Sequence, residues 1–144
     1  MKMHFGPALT VAMVVALQSS ALALDTSGPL LCYLSEAHQC DASVPCSQTT
    51  PATINLPDFV VIDHKKQEVR MLGASHSDRK TAIKRSEIVK GNLIVQGAES
   101  SDESDREAVG WTAAIDDESG QLVVTATDGG SAIVVFGKCV EAPK

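Results

Sequence analysis

A chain of 144 residues with 44% hydrophobic residues suffices for one domain with a modest core. Its formal net charge of −6 argues against nucleic acid and anionic membrane surfaces as partners. Beyond residue 23 the only aromatics are Tyr33, Phe59, Trp111 and Phe136. They are too few for a row of stacking platforms or an extended sugar groove, so Val, Ile, Leu and Ala must supply the core.

The chain opens with Lys2 and an apolar run from Pro7 to Leu17, followed by Ala21-Leu22-Ala23. A basic start, a short apolar stretch and a small-x-small site form the pattern of a secretory signal peptide over residues 1–23. The run is too short to anchor in a bilayer. Cleavage after Ala23 removes Lys2, which makes the mature chain more acidic still. The residues before Cys32 are Gly28-Pro29-Leu30-Leu31, without the small residue that a lipoprotein signal needs, and nothing after residue 24 is apolar enough to span a membrane. A periplasmic or secreted protein is expected, with no membrane insertion.

Residues 24–57 read as an irregular lead-in, with one short strand near Leu31-Cys32-Tyr33-Leu34 and a loop at Ser47-Gln48-Thr49-Thr50-Pro51. This lead-in carries Cys32, Cys40 and Cys46, and Cys139 is the fourth cysteine. An even count in a small exported domain predicts two disulfides. Three pairings are open, and a bridge between the 32–46 segment and Cys139 is expected to fasten the lead-in to the last strand. A metal site is the other reading, but the C-x7-C-x5-C spacing does not match zinc knuckles.

From Pro57 onward, over 58–144, strand signals follow one another. Phe59 to Asp63 is a strand, His64-Lys65-Lys66 a turn, and Glu68 to Leu72 a returning strand with Val69 and Met71 on one face. Arg79 to Val89 alternates less cleanly, but Thr81, Ile83, Ile88 and Val89 favour extended structure. Lys90-Gly91-Asn92 is a turn, and Leu93 to Gln96 a strand ended by Gly97. The acidic run 99–107 has two readings. Asp102, Glu103 and Asp105 could ligate calcium, but the spacing is not that of an EF-hand loop, so a solvated connection is preferred.

The last three runs form a meander. Trp111, Ala113 and Ile115 share one face of the first. Leu122, Val124 and Ala126 share a face of the second, opposite Gln121, Thr125 and Thr127. Ala132 to Phe136 is apolar on both faces, which suggests a more central or covered strand, with a buried helix over 132–139 as the alternative. Gly120 and Asp128-Gly129 suit turns that need positive φ. Gly137 marks a bulge or the close approach of another backbone. The expected fold is an all-β antiparallel meander of about seven strands, curled or closed into a small barrel, with a two-layer sandwich as runner-up.

No catalytic constellation emerges. Asp63 and His64 are neighbours on an extended segment and point to opposite faces. Ser75 and Ser77, around His76, lack the Gly-x-Ser-x-Gly pattern and a following helix. His38 is the third histidine beyond the leader, Gly129-Gly130 is a hairpin turn and not a phosphate loop, and no cofactor is implied. Trp111 and Phe136 are the candidate ligand or core aromatics. Trp111 reads first as the main core plug and second as the floor of a ligand pocket.

The Cys-containing lead-in, Leu56-Pro57, the Val61-x-Asp63 strand, Val95-Gln96-Gly97, Gly110-Trp111, Ile115-Asp116 with Gly120, and Val135-Phe136-Gly137-Lys138-Cys139 occur in this order. Together they resemble a family of small exported proteobacterial proteins without an assigned function. The resemblance implies a periplasmic location and supplies no catalytic residues. A non-enzymatic β-domain that binds a small apolar ligand or an envelope protein is therefore expected. An interaction or inhibitor module acting through loop 73–78 or 99–107 is the alternative, and a hydrolase using His64 or His76 is a further one.

Overall fold

The computed structural model describes residues 23–73, 79–100 and 108–143. Among them lie nine strands and one 3-10 turn, Ala52–Ile54. The strands are β1 (Leu30–Asp41), β2 (Val44–Thr49), β3 (Phe59–Asp63), β4 (Glu68–Leu72), β5 (Lys80–Val89), β6 (Asn92–Ser100), β7 (Ala108–Asp116), β8 (Gln121–Thr127) and β9 (Ser131–Glu141). Each pairs antiparallel with the next from β3 to β9, and β9 returns to pair with β1 along its length. The sheet therefore closes into an eight-stranded barrel. β2 is an extra strand, hairpinned onto the second half of β1. β2 remains as an edge of the closed sheet, and Pro45 on that edge blunts it.

Period-two alternation sets what faces inward. Leu30, Cys32, Val60, Ile62, Val69, Met71, Ile83, Leu93, Val95, Ala113, Ile115, Leu122, Val135 and Cys139 form one buried cluster. Charged and polar residues such as Lys84, Arg70 and Gln121 alternate with them on the exposed outer face. Apolar-in and polar-out is the reverse of a membrane-spanning barrel. Among the described residues, no helix is long and apolar enough to cross a membrane.

The lead-in reading over 24–57 is corrected by β1, the longest strand of the barrel. Leu30, Cys32 and Leu34 face inward, then a bulge between Leu34 and Glu36 shifts the phase so that Ala37 is the next buried residue. Leu31 and Tyr33 on the outer face are apolar as well, so the alternation is masked twice. The bulge lies opposite Gly137, where a Cβ would run into the Tyr33 carbonyl. Gly137 thus marks a close backbone approach, as the sequence suggests.

Both disulfides are formed, and all four cysteines are paired. Cys32 and Cys139 are directly opposed on β1 and β9 and join the barrel seam from inside. Cys40–Cys46 clips the β1–β2 hairpin. Two disulfides are consistent with an oxidising, exported location.

The turns are set partly by glycine and partly by aspartate. Lys90 and Gly91 both have positive φ, 48° and 82°, as a two-residue hairpin turn requires. Gly120 has φ of 69° and sits under the Cys139 carbonyl. Gly129 does not adopt positive φ, contrary to expectation. Instead the Asp128 carboxylate organises that turn, accepting the Gly130 and Ser131 N–H groups at 2.8 and 2.7 Å. These bonds hold Asp128 below the usual carboxylate range. The Ser119 hydroxyl and N–H do the same for Asp116. The Lys66 N–H lowers Asp63 against the opposing effect of burial.

All three groups bind protons less readily folded than unfolded. Their contribution is complete above the unfolded pKa of about 3.9 and drains away as pH falls through the lower folded values. The melting temperature should therefore fall as pH drops through the unfolded carboxylate range and on through the lower folded values. The triple variant Asp63→Asn, Asp116→Asn, Asp128→Asn should show a flatter profile in the same scans.

Candidate functional site

The barrel interior is not uniformly filled. At one end Leu30, Leu93, Ile115 and Leu122 pack with the Cys32–Cys139 bridge, each no more than 2% exposed. Leu24 packs against this end from the chain start, and its N–H bonds to the Asp117 carbonyl. Toward the other end the inward residues change. Val124, Ala126, Ala113 and Val109 are small, and β6 presents Gly97 where a bulky residue would close the space. The result is a cavity of about 290 Å³.

Its walls are almost wholly aliphatic. Val60, Ile62, Val69 and Met71 come from β3 and β4, with Leu34, Ile133 and Val135 from the β1–β9 side. The 3-10 segment covers part of the remaining wall, and the cavity stays open to solvent beside it. β1 leaves β3 after Tyr33 to pair with β2, which opens a gap in the wall. Residues 50–57 cross here, with Pro51 and Pro57 buried and Ile54 and Leu56 turned onto the cavity. Arg79 fastens this strap, donating from Nη1 to the Asn55 carbonyl at 2.9 Å. Its Nη2 lies 3.9 Å from Glu99 Oε2 at the rim, where both side chains are partly exposed.

Trp111 is the largest side chain of the wall. It lies across β6 and β7 against Gly97, its paired residue, and a Cβ at Gly97 would overlap the indole ring. Trp111 is therefore seated in the wall of a cavity, rather than filling the barrel as its main plug. The indole Nε1 is buried without a hydrogen-bond partner among the described residues, and so is Thr81 Oγ1. Both residues line the cavity. Among the described residues, Arg79, Thr81, Glu99 and Trp111 are its only lining side chains with nitrogen or oxygen atoms.

The remaining candidates fall elsewhere. Phe136 is neither core nor cavity: it stands on the outer face, 41% exposed, with its ring edge-on to His38 at 6.0 Å. Inward positions on β9 fall to Ile133 and Val135, so strand alternation turns Phe136 outward. β9 is central rather than covered: it pairs with β8 on one side and β1 on the other, and its outer face meets solvent at Phe136 and Lys138. His38 Nε2 lies 2.7 Å from Glu36 Oε1 on the same outer side. Asp63 caps its own turn through Lys66, while His64 Nε2 is buried with no hydrogen-bond partner among the described residues. No group of three or more metal-ligating side chains occurs among the described residues. Ser75, His76, Ser77, Asp102, Glu103, Asp105 and the signal-peptide reading up to residue 22 lie outside the described residues.

Two features of the site were beyond sequence reading. The sequence marks Thr81 only as an extended-structure former and Arg79 only as a strand start. The alternation of Thr81 with Ile83 was the available signal that a hydroxyl faces inward. The chain matches no family model, no curated protein and no solved structure.

Proposed function

We propose that this chain is an exported, periplasmic binding barrel that takes a small, largely apolar molecule into its cavity. The aliphatic cavity in an otherwise solid interior carries this reading. Protein interiors are close-packed, with few voids larger than a water molecule. An enclosed void costs roughly 24 cal/mol per Å³ of packing, and a pocket that leaves these aliphatic walls unpacked forgoes part of that. Replacing Ala126 or Ala113 by a larger aliphatic residue would recover part of it. Retaining small residues there is consistent with room kept for an occupant. Binding in a mostly apolar pocket with a few placed polar groups is also how small-molecule sites are generally built. Export fits the paired cysteines and the leader pattern over residues 1–23.

The test is Ala126→Leu. Filling the cavity should raise the unfolding free energy by about 1 kcal/mol in urea titrations. It should also weaken binding of 2-nonanone, a probe with ten non-hydrogen atoms, more than tenfold by calorimetry. Protein taken from the cell envelope should carry a small apolar molecule in native mass spectrometry, and the variant should not. Equal affinity in wild type and variant would place the probe outside the barrel and remove the reading.

A further inference from the structure

We infer that the outer face of β1, β3 and β4 docks on an anionic lipid surface, seating Tyr33, Phe59 and Leu72 among the headgroups and setting Lys138, Arg70 and Lys80 against the phosphates. Two rows of side chains define this face, since directly paired residues share one side of a sheet. One row is Lys138, Tyr33, Phe59 and Leu72, running from β9 through β1 and β3 to β4. The next is Val140, Leu31, Val61, Arg70 and Lys80, which ends on β5. Both rows face away from the cavity, and docking there does not depend on the binding-barrel reading.

The centre of the face is apolar. Tyr33 and Phe59 are 47% and 45% exposed, with ring centroids 5.2 Å apart. Leu72 and Val140 are exposed beside them, and Val61 is buried while standing apart from the interior cluster. Single apolar residues on a surface need no explanation, but a contiguous patch marks an interaction site. Together with Phe136, three of the four aromatics beyond residue 23 stand on the outside of a barrel whose core is aliphatic.

The cations set the sign of the partner. The formal net charge of −6 would oppose an anionic surface if it were evenly spread. It is not: eight of the twelve Lys and Arg residues lie between positions 65 and 90, with only three of the eighteen acids. On the two rows every charge is positive. Glu68 beside them is shared by Arg70 and Lys80, 3.5 Å from each. Lys138 has no ion-pair partner among the described residues. The acids of the β7–β8 turn sit across the barrel from β3 and β4. That is on the order of 10 Å or more away, and salt screens charge beyond about 8 Å.

Shape favours lipid over a folded protein. A closed wall is convex, so Leu31, Tyr33 and Phe59 form a crest, with Lys138 on one shoulder and Arg70 and Lys80 on the other. A rigid partner would need a matching trough. A lipid surface yields to a ridge and layers the same chemistry, apolar chains beneath charged phosphates. Tyrosine suits that boundary, with an apolar ring and a wet hydroxyl.

Flotation of the mature protein, residues 24–144, with lipid vesicles tests the docking. Vesicles of phosphatidylcholine are compared with vesicles in which about a third is replaced by phosphatidylglycerol. The anionic vesicles should bind about tenfold more tightly or better, and high salt should weaken that binding. Tyr33→Ser with Phe59→Ser should cut binding about tenfold or more and leave the circular dichroism spectrum unchanged. Lys138→Gln, at an exposed and unpaired position, should cost about fivefold, the worth of one cation at an anionic surface. Glu68→Gln releases Arg70 and Lys80 and should tighten binding by a similar factor, a gain that damage to the fold cannot mimic. Equal binding to both vesicle types, or anionic binding that survives Tyr33→Ser with Phe59→Ser, would overturn the proposal. No binding to either would overturn it too. The face would then belong to a second copy of the chain if the wild type dimerises and the double variant does not, and to an acidic protein otherwise.

Discussion

Replacing Cys32 and Cys139 together by alanine is expected to lower the unfolding free energy by about 4–5 kcal/mol, against about 2 kcal/mol for the pair Cys40 and Cys46. The difference comes from the chain that each bridge encloses. Cys32 and Cys139 are 107 residues apart, and Cys40 and Cys46 only 6. In the chain-entropy account, the stabilisation grows with the logarithm of the loop closed in the unfolded chain. Position adds to this. Cys32 and Cys139 are opposed on β1 and β9, the one pairing that joins the two ends of the meander into a closed wall. Both are also fully buried, so alanine removes two packed sulfur atoms from the filled end of the barrel. Small domains are stable by only 5–15 kcal/mol, so the first double variant should be partly unfolded at 37 °C or close to it. The second should remain folded, since β2 lies outside the closed barrel and is exposed from Val44 to Gln48. Urea titrations of both double variants, monitored by circular dichroism, measure the two losses. Equal losses would mean that the seam is held by strand pairing alone.

The seam also shows what the sequence could and could not disclose. Strands with one clean apolar face were legible: Glu68–Leu72, Ala108–Asp116 and Gln121–Thr127 alternate as read, because one face meets the interior and the other meets water. Local turns were legible where backbone chemistry is local, as at Lys90-Gly91 and Gly120. The long first strand was not. A bulge shifts its inward set by one position, and apolar Leu31 and Tyr33 on the outer face blur the pattern. Closure between β1 and β9 was legible only as one option, because it pairs residues far apart in the chain, from Leu30 with Glu141 to Asp41 with Ser131. The cavity was least legible. Its volume is the small difference between the space that the barrel encloses and the side chains placed inside it. Trp111 could be named as decisive, but not whether it fills that space or borders it.

The residue that decides this is Gly97, read from sequence as the end of a strand. It lies well inside β6, which continues to Ser100. Gly97 faces inward between Val95 and Glu99, directly opposite Trp111. A Cβ there would overlap Cζ2 and Cε2 of the indole, and it would come 2.6 Å from the Ala82 carbonyl oxygen. Glycine normally weakens a strand, and here it marks the close approach of a neighbour. Its missing side chain is the seat of the ring.

Gly97→Ala should therefore destabilise the barrel by about 2–3 kcal/mol, in the range of overpacked cores, although alanine is the better strand residue. Trp111 is the only tryptophan, so its emission reports directly on the displaced ring. The spectrum should shift, and affinity for 2-nonanone should fall, because the indole can move only toward the cavity. A double-mutant cycle separates the two obstacles. In a Trp111→Leu background the ring clash is gone, and Gly97→Ala should cost less than about 1 kcal/mol, the remainder being the Ala82 carbonyl contact. The coupling energy between positions 97 and 111 should thus exceed about 1 kcal/mol. Additive losses at the two sites, with an unchanged emission spectrum in Gly97→Ala, would show that the ring does not rest on the glycine. The cavity would then owe its volume to the small residues of β7 and β8 alone.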